Sequence, residues 1–340
     1  MTTVLDSLNQ ALHHCFQADE TVLLLGEDVL DPYGGAFKVT RGLSSTFPGR
    51  VLATPISEAG MTGIAAGMAL RGLRPVVEIM FGDFVTLIAD QLINHITKFR
   101  WMYNDQVRVP LVIRTPMGGR RGYGPTHSQT LEKIFLGVPG LRVLAPSAIG
   151  DPGGLLAQAI LEDDDPVLFI ENKLQYLLPV QDPAGLAEFE AVLSPVKSPG
   201  TDNAYAPTHT LRLRGAPPAV ITLVAYGYMA ELARQAALQL AYESEIFTEL
   251  VIPTQLAPFE LEAVLESARR TGRLLSIEEG SLSLGWGAEI LARSAETLGS
   301  GLRVARRVAA IELPIPASGI LEAQALPGVE QVVQTAQIMV

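Results

Sequence analysis

Short apolar runs of strand length recur along this chain, separated by segments with helical spacing or by glycine-rich loops. In the first half they fall at residues 22–25, 75–79, 111–114, 141–145 and 167–170. The runs are continuous rather than alternating, which marks strands covered on both faces. Such strands, alternating with helices, build a mainly parallel sheet. Helical spacing is clear in Val4, Leu5, Leu8, Leu12, Cys15 and Phe16, with Thr2 or Thr3 as the cap. Ser57 is placed to cap a small-residue helix over 58–70. Val85, Ile88, Leu92, Ile93, Ile96 and Phe99 predict one long amphipathic helix. A second series follows, with strands at 219–226, 247–252, 274–277 and 304–312 and helices at 229–240, 260–270 and 287–298. The expected fold class is α/β, with two domains, each a mainly parallel sheet flanked by helices.

Between the two series lie Asp182-Pro183, Ser194-Pro195, Ser198-Pro199-Gly200, Ala206-Pro207 and Pro217-Pro218. Turn-forming dipeptides at this density predict a linker or insertion. The expected division is a domain over 1–180, a Pro/Gly-rich segment over 181–218 and a second domain over 219–340. The net charge of -11 repels phosphate backbones and argues against a nucleic-acid partner. No apolar run is long enough to span a bilayer. The best candidate, 59–81, is interrupted by Arg71, Arg74 and Glu78, and the start shows no basic leader. The single cysteine, Cys15, excludes an intrachain disulfide and lies on an apolar stripe. It reads as a core residue of a soluble protein in a reducing, cytoplasmic compartment.

Two residues could carry chemistry. Glu58, in Thr54-Pro55-Ile56-Ser57-Glu58, opens a glycine-rich helix just after a strand. A carboxyl there interacts favourably with the helix dipole whatever else it does, so structural and catalytic readings both stand. His127, in Gly124-Pro125-Thr126-His127-Ser128, follows the strand at 111–114. Loops beyond the carboxyl ends of parallel strands bind ligands, and histidine exchanges protons near neutral pH. A hydrogen-bonded structural histidine is the competing reading. His13, His14, His95 and His209 fall in apparent helices or the linker and read as structural or solvated. Gly118-Gly119-Arg120-Arg121-Gly122 looks like a phosphate cradle but matches no common nucleotide fingerprint, so it reads as a flexible surface loop. The chain has no Gly-x-Ser-x-Gly elbow, no cysteine cluster and no His-x-x-x-His pair.

Longer strings say more. Gly26-Glu27-Asp28-Val29, Gly34-Gly35-Ala36-Phe37, Thr54-Pro55-Ile56-Ser57-Glu58, Gly72-Leu73-Arg74-Pro75, His127-Ser128-Gln129, Tyr226-Gly227, Glu278-Glu279-Gly280 and Leu313-Pro314-Ile315-Pro316 occur in this order. Together they resemble the β subunits of thiamine-diphosphate-dependent 2-oxo acid dehydrogenases, within the transketolase-like superfamily, over nearly the whole chain. The resemblance implies a pyrimidine-binding domain followed by a transketolase C-terminal-like domain. It carries the pyrimidine-contacting glutamate onto Glu58, the ring-stacking aromatic onto Phe84 and the active-site histidine onto His127. It also carries a potassium site, held by backbone oxygens, onto Ile160, Leu161, Asp163 and Asp165, in an unusually acidic run. This sequence departs from the family in its longer 180–219 segment and in Tyr103-Asn104-Asp105-Gln106, where a glycine-rich stretch is customary.

Thiamine enzymes that hold the diphosphate use Gly-Asp-Gly followed by Asn-Asn to ligate magnesium. Gly-Asp-Gly does not occur here. The resemblance therefore implies an α subunit that holds the diphosphate and magnesium, in an α2β2 assembly, and a lipoyl-bearing dihydrolipoyl acyltransferase as acyl acceptor. Glu58 would share a proton with the pyrimidine ring and favour its imino tautomer, Phe84 would hold the ring, and His127 would exchange protons during acyl transfer. The implied activity is oxidative decarboxylation of a 2-oxo acid, pyruvate or a branched-chain one. Acetoin cleavage, half of a split transketolase or deoxyxylulose-phosphate synthase, and a non-catalytic structural subunit are the alternatives. A sugar-phosphate enzyme would need basic residues, and only Arg114, Arg120 and Arg121 cluster suitably.

Overall fold

The computed structural model describes residues 2–197 and 204–340, so Ser198-Pro199-Gly200 of the expected linker lies outside the described residues. In chain order the strands are β1 (Val22–Gly26), β2 (Val51–Ala53), β3 (Arg74–Glu78), β4 (Val112–Met117), β5 (Arg142–Leu144), β6 (Val167–Asn172) and β7 (Phe189–Lys197). They continue with β8 (Ala204–Leu213), β9 (Ile221–Ala225), β10 (Thr248–Pro253), β11 (Gln255–Ala257), β12 (Arg273–Ser281) and β13 (Val304–Ala310). Two sheets result, ordered β11-β5-β6-β4-β3-β1-β2 and β13-β12-β9-β10-β8-β7. Helices flank both, and pairing within each is mainly parallel, as the continuous apolar runs predict. Every residue of β4 and of β10 is buried, which is why neither run alternates.

The first helix, Val4–Ala18, starts at Thr3, whose hydroxyl accepts from Asp6 N while Asp6 accepts from Thr3 N. Its buried face, Leu8, Leu12, Cys15 and Phe16, packs with the helix Pro152–Leu161 against the first sheet. Each such side chain contributes about 1.5–3 kcal/mol. Ser57 stands at the N-cap of the helix Glu58–Leu70 but makes no capping bond with its side chain.

Two expectations differ from the structure. The single long helix is continuous over 82–102 but changes pitch along its length: 3-10 at Gly82–Ile88, π at Gln91–Ile96 and α at Thr97–Met102. Gly82 lies so close to Met117 that a Cβ would meet its side chain at 2.2 Å, and the Thr97 hydroxyl donates to the carbonyls of Leu92 and Ile93. The apolar spacing marks the buried face correctly, but these local contacts set the pitch. The segment that reads as a linker or insertion carries β7 and β8, an antiparallel hairpin that extends the second sheet beyond β10. Ser194-Pro195 and Ala206-Pro207 fall inside these strands. Pairing slips between Ser194 and Val196, on the edge strand where proline is tolerated. Phe189 and Leu211 of the hairpin join the second core, while Tyr205 and Ala206 join the first. The second half also lends β11 to the first sheet, antiparallel to β5.

Among the described residues no helix is long and apolar enough to cross a membrane. Burial pushes the Cys15 thiol up to about 12, leaving almost no thiolate at neutral pH. The native protein is therefore expected to show no reaction with a thiol reagent such as dithionitrobenzoate, and one equivalent after denaturation. Rapid labelling of the folded protein would contradict this packing.

Candidate active site

Strands β4, β3, β1 and β2 are parallel neighbours, so their carboxyl ends form one edge of the first sheet. The candidate residues follow those ends. Glu58 comes after β2, Glu27 after β1, Phe81 and Phe84 after β3, and His127 after β4. The same edge of an α/β sheet is where ligands bind.

The structure brings His127 and Phe84 together, with ring centroids 5.3 Å apart and edge to face. Phe81 is nearer still, at 4.8 Å, and also meets Phe84 at 5.9 Å. The loop that carries His127 is fixed by its backbone, since Lys173 Nζ donates to the His127 carbonyl. Lys173 is fully buried, and burial pushes its ammonium down to about 8 against the pull of Asp83 and Glu279. Asp83 in turn accepts from Gln129 N and Nε2 at 3.2 and 2.8 Å, tying the Phe81–Phe84 turn to the residues just after His127.

Glu58 is 7 % exposed, and no described residue donates a hydrogen bond to its carboxyl. Glu27 is its acidic neighbour. Burial raises the Glu27 carboxyl above the usual range, the Glu58 and Asp28 charges add to this, and one of its oxygens is buried without a partner.

Behind the edge lies Arg114, 1 % exposed. It donates to both oxygens of Glu171 at 2.8 and 2.6 Å and, through Nη1, to Glu78. Tyr176 completes the cluster by donating to Glu171 at 2.6 Å. Arg120 donates to the Pro327 carbonyl and Arg121 to the Lys173 carbonyl. Arg114 is thus fully committed to carboxylates, while Arg120 and Arg121 each donate to a backbone carbonyl and keep a buried Nε without a partner among the described residues.

Residues 1–178 match the transketolase pyrimidine-binding domain and residues 216–332 the transketolase C-terminal domain. The chain is 37% identical to a pyruvate dehydrogenase E1 component subunit beta-1 of Arabidopsis thaliana, covering 98% of this chain and 88% of that protein. It is 36% identical to the acetoin:2,6-dichlorophenolindophenol oxidoreductase subunit beta of Bacillus subtilis, covering 96% and 94%. It shares the fold of a split-gene transketolase described as an inactive beta4 tetramer, with TM-score 0.71, 21% identity and coverage of 99% and 97%. The chain belongs to the β subunits of the thiamine-diphosphate-dependent 2-oxo acid dehydrogenases.

A β subunit of this family needs a pocket for a flat, polar ring. Glu58, a buried carboxyl without a protein partner, fits the polar side of such a ring, and the Phe81–Phe84–His127 cluster supplies aromatic surface. No group of three or more His, Cys, Asp or Glu suited to a metal occurs among the described residues. The stretch expected to face potassium is otherwise occupied. Arg74 Nη1 donates to the carbonyls of Ile160 and Asp163 at 3.1 and 2.8 Å. The Asp163 carboxylate accepts from Arg142 at 2.6 Å and that of Asp165 from Arg100 at 2.7 Å. A guanidinium already sits against two of the oxygens in this β subunit, so the arrangement does not fit a bound potassium ion.

Phe81 and Lys173 carry no mark in the sequence motifs. A signal exists for both, because each stands just past the carboxyl end of a parallel strand, β3 and β6 respectively. His209 reads as structural or solvated from its sequence position; it is buried in β8, and burial lowers its pKa.

Removing Arg114 would leave Glu78 and Glu171 as buried carboxylates without their cation. Arg114→Met is expected to destabilise the subunit by about 3–5 kcal/mol. Chemical denaturation of the parent and variant would measure it, and a loss below about 1 kcal/mol would show that the cluster does not carry this load.

Proposed function

We propose that this subunit, assembled with an α subunit as α2β2, catalyses oxidative decarboxylation of a 2-oxo acid and passes the acyl group to lipoyl groups of a dihydrolipoyl acyltransferase. The observation that carries this reading is Glu58, a largely buried residue whose carboxyl accepts no hydrogen bond from the described residues, on the same strand edge as the Phe81–Phe84–His127 cluster. Bound thiamine diphosphate would supply the electron sink that 2-oxo acid decarboxylation requires. Glu58 would hold a proton at a pyrimidine ring nitrogen, and Phe84 would bound the ring by stacking. His127, held by its backbone and by the edges of Phe81 and Phe84, would exchange protons with substrate or with the dithiolane. The α subunit would hold the diphosphate and magnesium. Potassium is not part of this reading, because Arg74 donates to two of the four expected oxygens, those of Ile160 and Asp163. Work in a reducing compartment, cytoplasmic or organellar, is compatible with the single buried thiol.

The acetoin-type relative supports a second reading, in which acetoin is the substrate, because identity and coverage there are close to those of the pyruvate-type relative. A panel of pyruvate, branched-chain 2-oxo acids and acetoin, assayed on the reconstituted complex, separates the two. A sugar-phosphate substrate is disfavoured at Arg114, whose guanidinium is already paired with Glu78 and Glu171.

Two outcomes are expected. Glu58→Gln should leave the fold and the α2β2 assembly intact while lowering decarboxylation about 100-fold or more. Near-normal turnover would remove Glu58 from the mechanism. In titration calorimetry with magnesium present, the β subunit alone should bind thiamine diphosphate too weakly to detect, and the reconstituted complex should bind it. Micromolar binding by the single chain would overturn the division of the site between two polypeptides.

A further inference from the structure

The Gly118–Gly122 loop, whose composition suggests a phosphate cradle or a flexible surface loop, is neither free nor loose. Its backbone N–H groups converge on two carboxylates from the second half of the chain. Gly119 N donates to Glu279 Oε1 at 2.7 Å, Arg120 N to Glu322 Oε1 at 2.7 Å and Gly122 N to Glu322 Oε2 at 3.0 Å. The remaining Glu279 oxygen accepts from Asn172 Nδ2 at 3.0 Å. Both carboxyls are nearly fully buried, at 4 % and 2 % exposure. The loop takes left-handed backbone angles at Gly118, Arg120 and Gly122, with φ of 94°, 67° and 69°. Such turns point successive N–H groups inward and form an anion-binding nest. A Cβ at Gly118 would meet Asn172 at 2.5 Å, and one at Gly119 would meet Leu326 at 2.5 Å, so the fit is close on both sides.

Glu279 stands on β12 and Glu322 on the helix Gly319–Ala325. The loop they hold runs five residues from Gly122 to His127, whose carbonyl accepts from Lys173 and whose ring meets Phe81 and Phe84. Arg120 adds a second attachment by donating to the Pro327 carbonyl.

We propose that Glu279 and Glu322 are positioning residues: they fill the nest of the Gly118–Gly122 loop as built-in anions and so latch the His127 loop to the C-terminal half. The phosphate-cradle geometry is real, and the chain supplies its own anion. A charged acceptor makes a backbone hydrogen bond stronger than a neutral one does, and two buried carboxylates hold three amides at once. Displacing a catalytic group by about 1 Å costs on the order of 100-fold in rate, which is the scale on which such a latch matters.

The consequence for turnover rests on the role proposed above for His127, whereas the latch itself does not. The test uses the complex reconstituted from this chain and its α partner, with Glu322→Ala, Glu279→Gln and His127→Ala as separate variants. Glu322→Ala should expose the Arg121–Gly122 bond to trypsin and lower kcat roughly 10- to 100-fold, with thiamine diphosphate affinity and KM for the 2-oxo acid unchanged. Acetate, a small carboxylate able to enter the vacated nest, should restore both protection and turnover, and chloride at equal ionic strength should not. Glu279→Gln should show the weaker version of the same pattern. If Glu322→Ala fails to fold, the isosteric Glu322→Gln carries the test. Unchanged trypsin sensitivity would overturn the latch. A loosened loop with unchanged kcat, while His127→Ala is impaired, would overturn the positioning role alone. Normal turnover in His127→Ala would instead remove His127 from the mechanism and leave the latch to be judged by trypsin and acetate.

Discussion

The buried Arg114 cluster is the interaction on which the rest of the site depends. Arg114 lies on β4, between β3 and β6, and grips Glu78 on one neighbour and Glu171 on the other. In register, Glu78 pairs directly with Arg114, so a guanidinium from the middle of β4 meets carboxylates near the carboxyl ends of β3 and β6. Taking one guanidinium and two carboxylates out of water is expensive, and burial raises the Glu78 carboxyl in spite of the arginine beside it. The bidentate contact to Glu171 and the Tyr176 hydroxyl offset much of that cost. Phe81 and Phe84 leave from β3, His127 from β4 and Lys173 from β6, so the relative height of these strands sets where each site residue begins.

A second constraint is the way the two halves exchange parts. The first sheet takes β11 from the second half, and the β7–β8 hairpin places Tyr205 and Ala206 in the first core. Glu279 and Glu322 then reach across to the loop before His127. The second half therefore supports the first at the far edge of its sheet and at its active edge. The two domains thus share strands and core residues across their boundary.

Much of this is legible in the sequence, for definite reasons. Strands such as β4 and β10 are buried on both faces, and an unbroken apolar run of strand length is what such burial demands. The capping box at Thr3 depends on residues three apart and is readable from the pattern. Glu58 and His127 can be named because each follows a strand end in a distinctive string. What stays hidden depends on contacts distant in sequence. The hairpin is masked by Ser194-Pro195 and Ala206-Pro207, whose turn preference gives way where strand pairing is irregular or ends. The pitch of the 82–102 segment depends on Gly82 against Met117 and on the Thr97 hydroxyl, neither of which leaves a trace in periodicity. The glycine-rich loop looks flexible in the sequence because its anions, Glu279 and Glu322, lie some 160 and 200 residues away.

The charges around the candidate site bear on the proposal that a partner subunit completes the cofactor pocket. A diphosphate needs cations or free N–H donors turned toward it. Among the basic side chains around the His127 loop, Arg114 is paired with Glu78 and Glu171, while Arg120, Arg121 and Lys173 donate to the Pro327, Lys173 and His127 carbonyls. The loop amides that form a ready anion nest are filled by Glu279 and Glu322. What the edge still offers are Glu27 and Glu58, two acids near each other, and a set of aromatic rings. Acids and rings suit a protonated or hydrogen-bonding heterocycle and repel a polyphosphate. This charge pattern agrees with the proposal above that the α subunit holds the diphosphate.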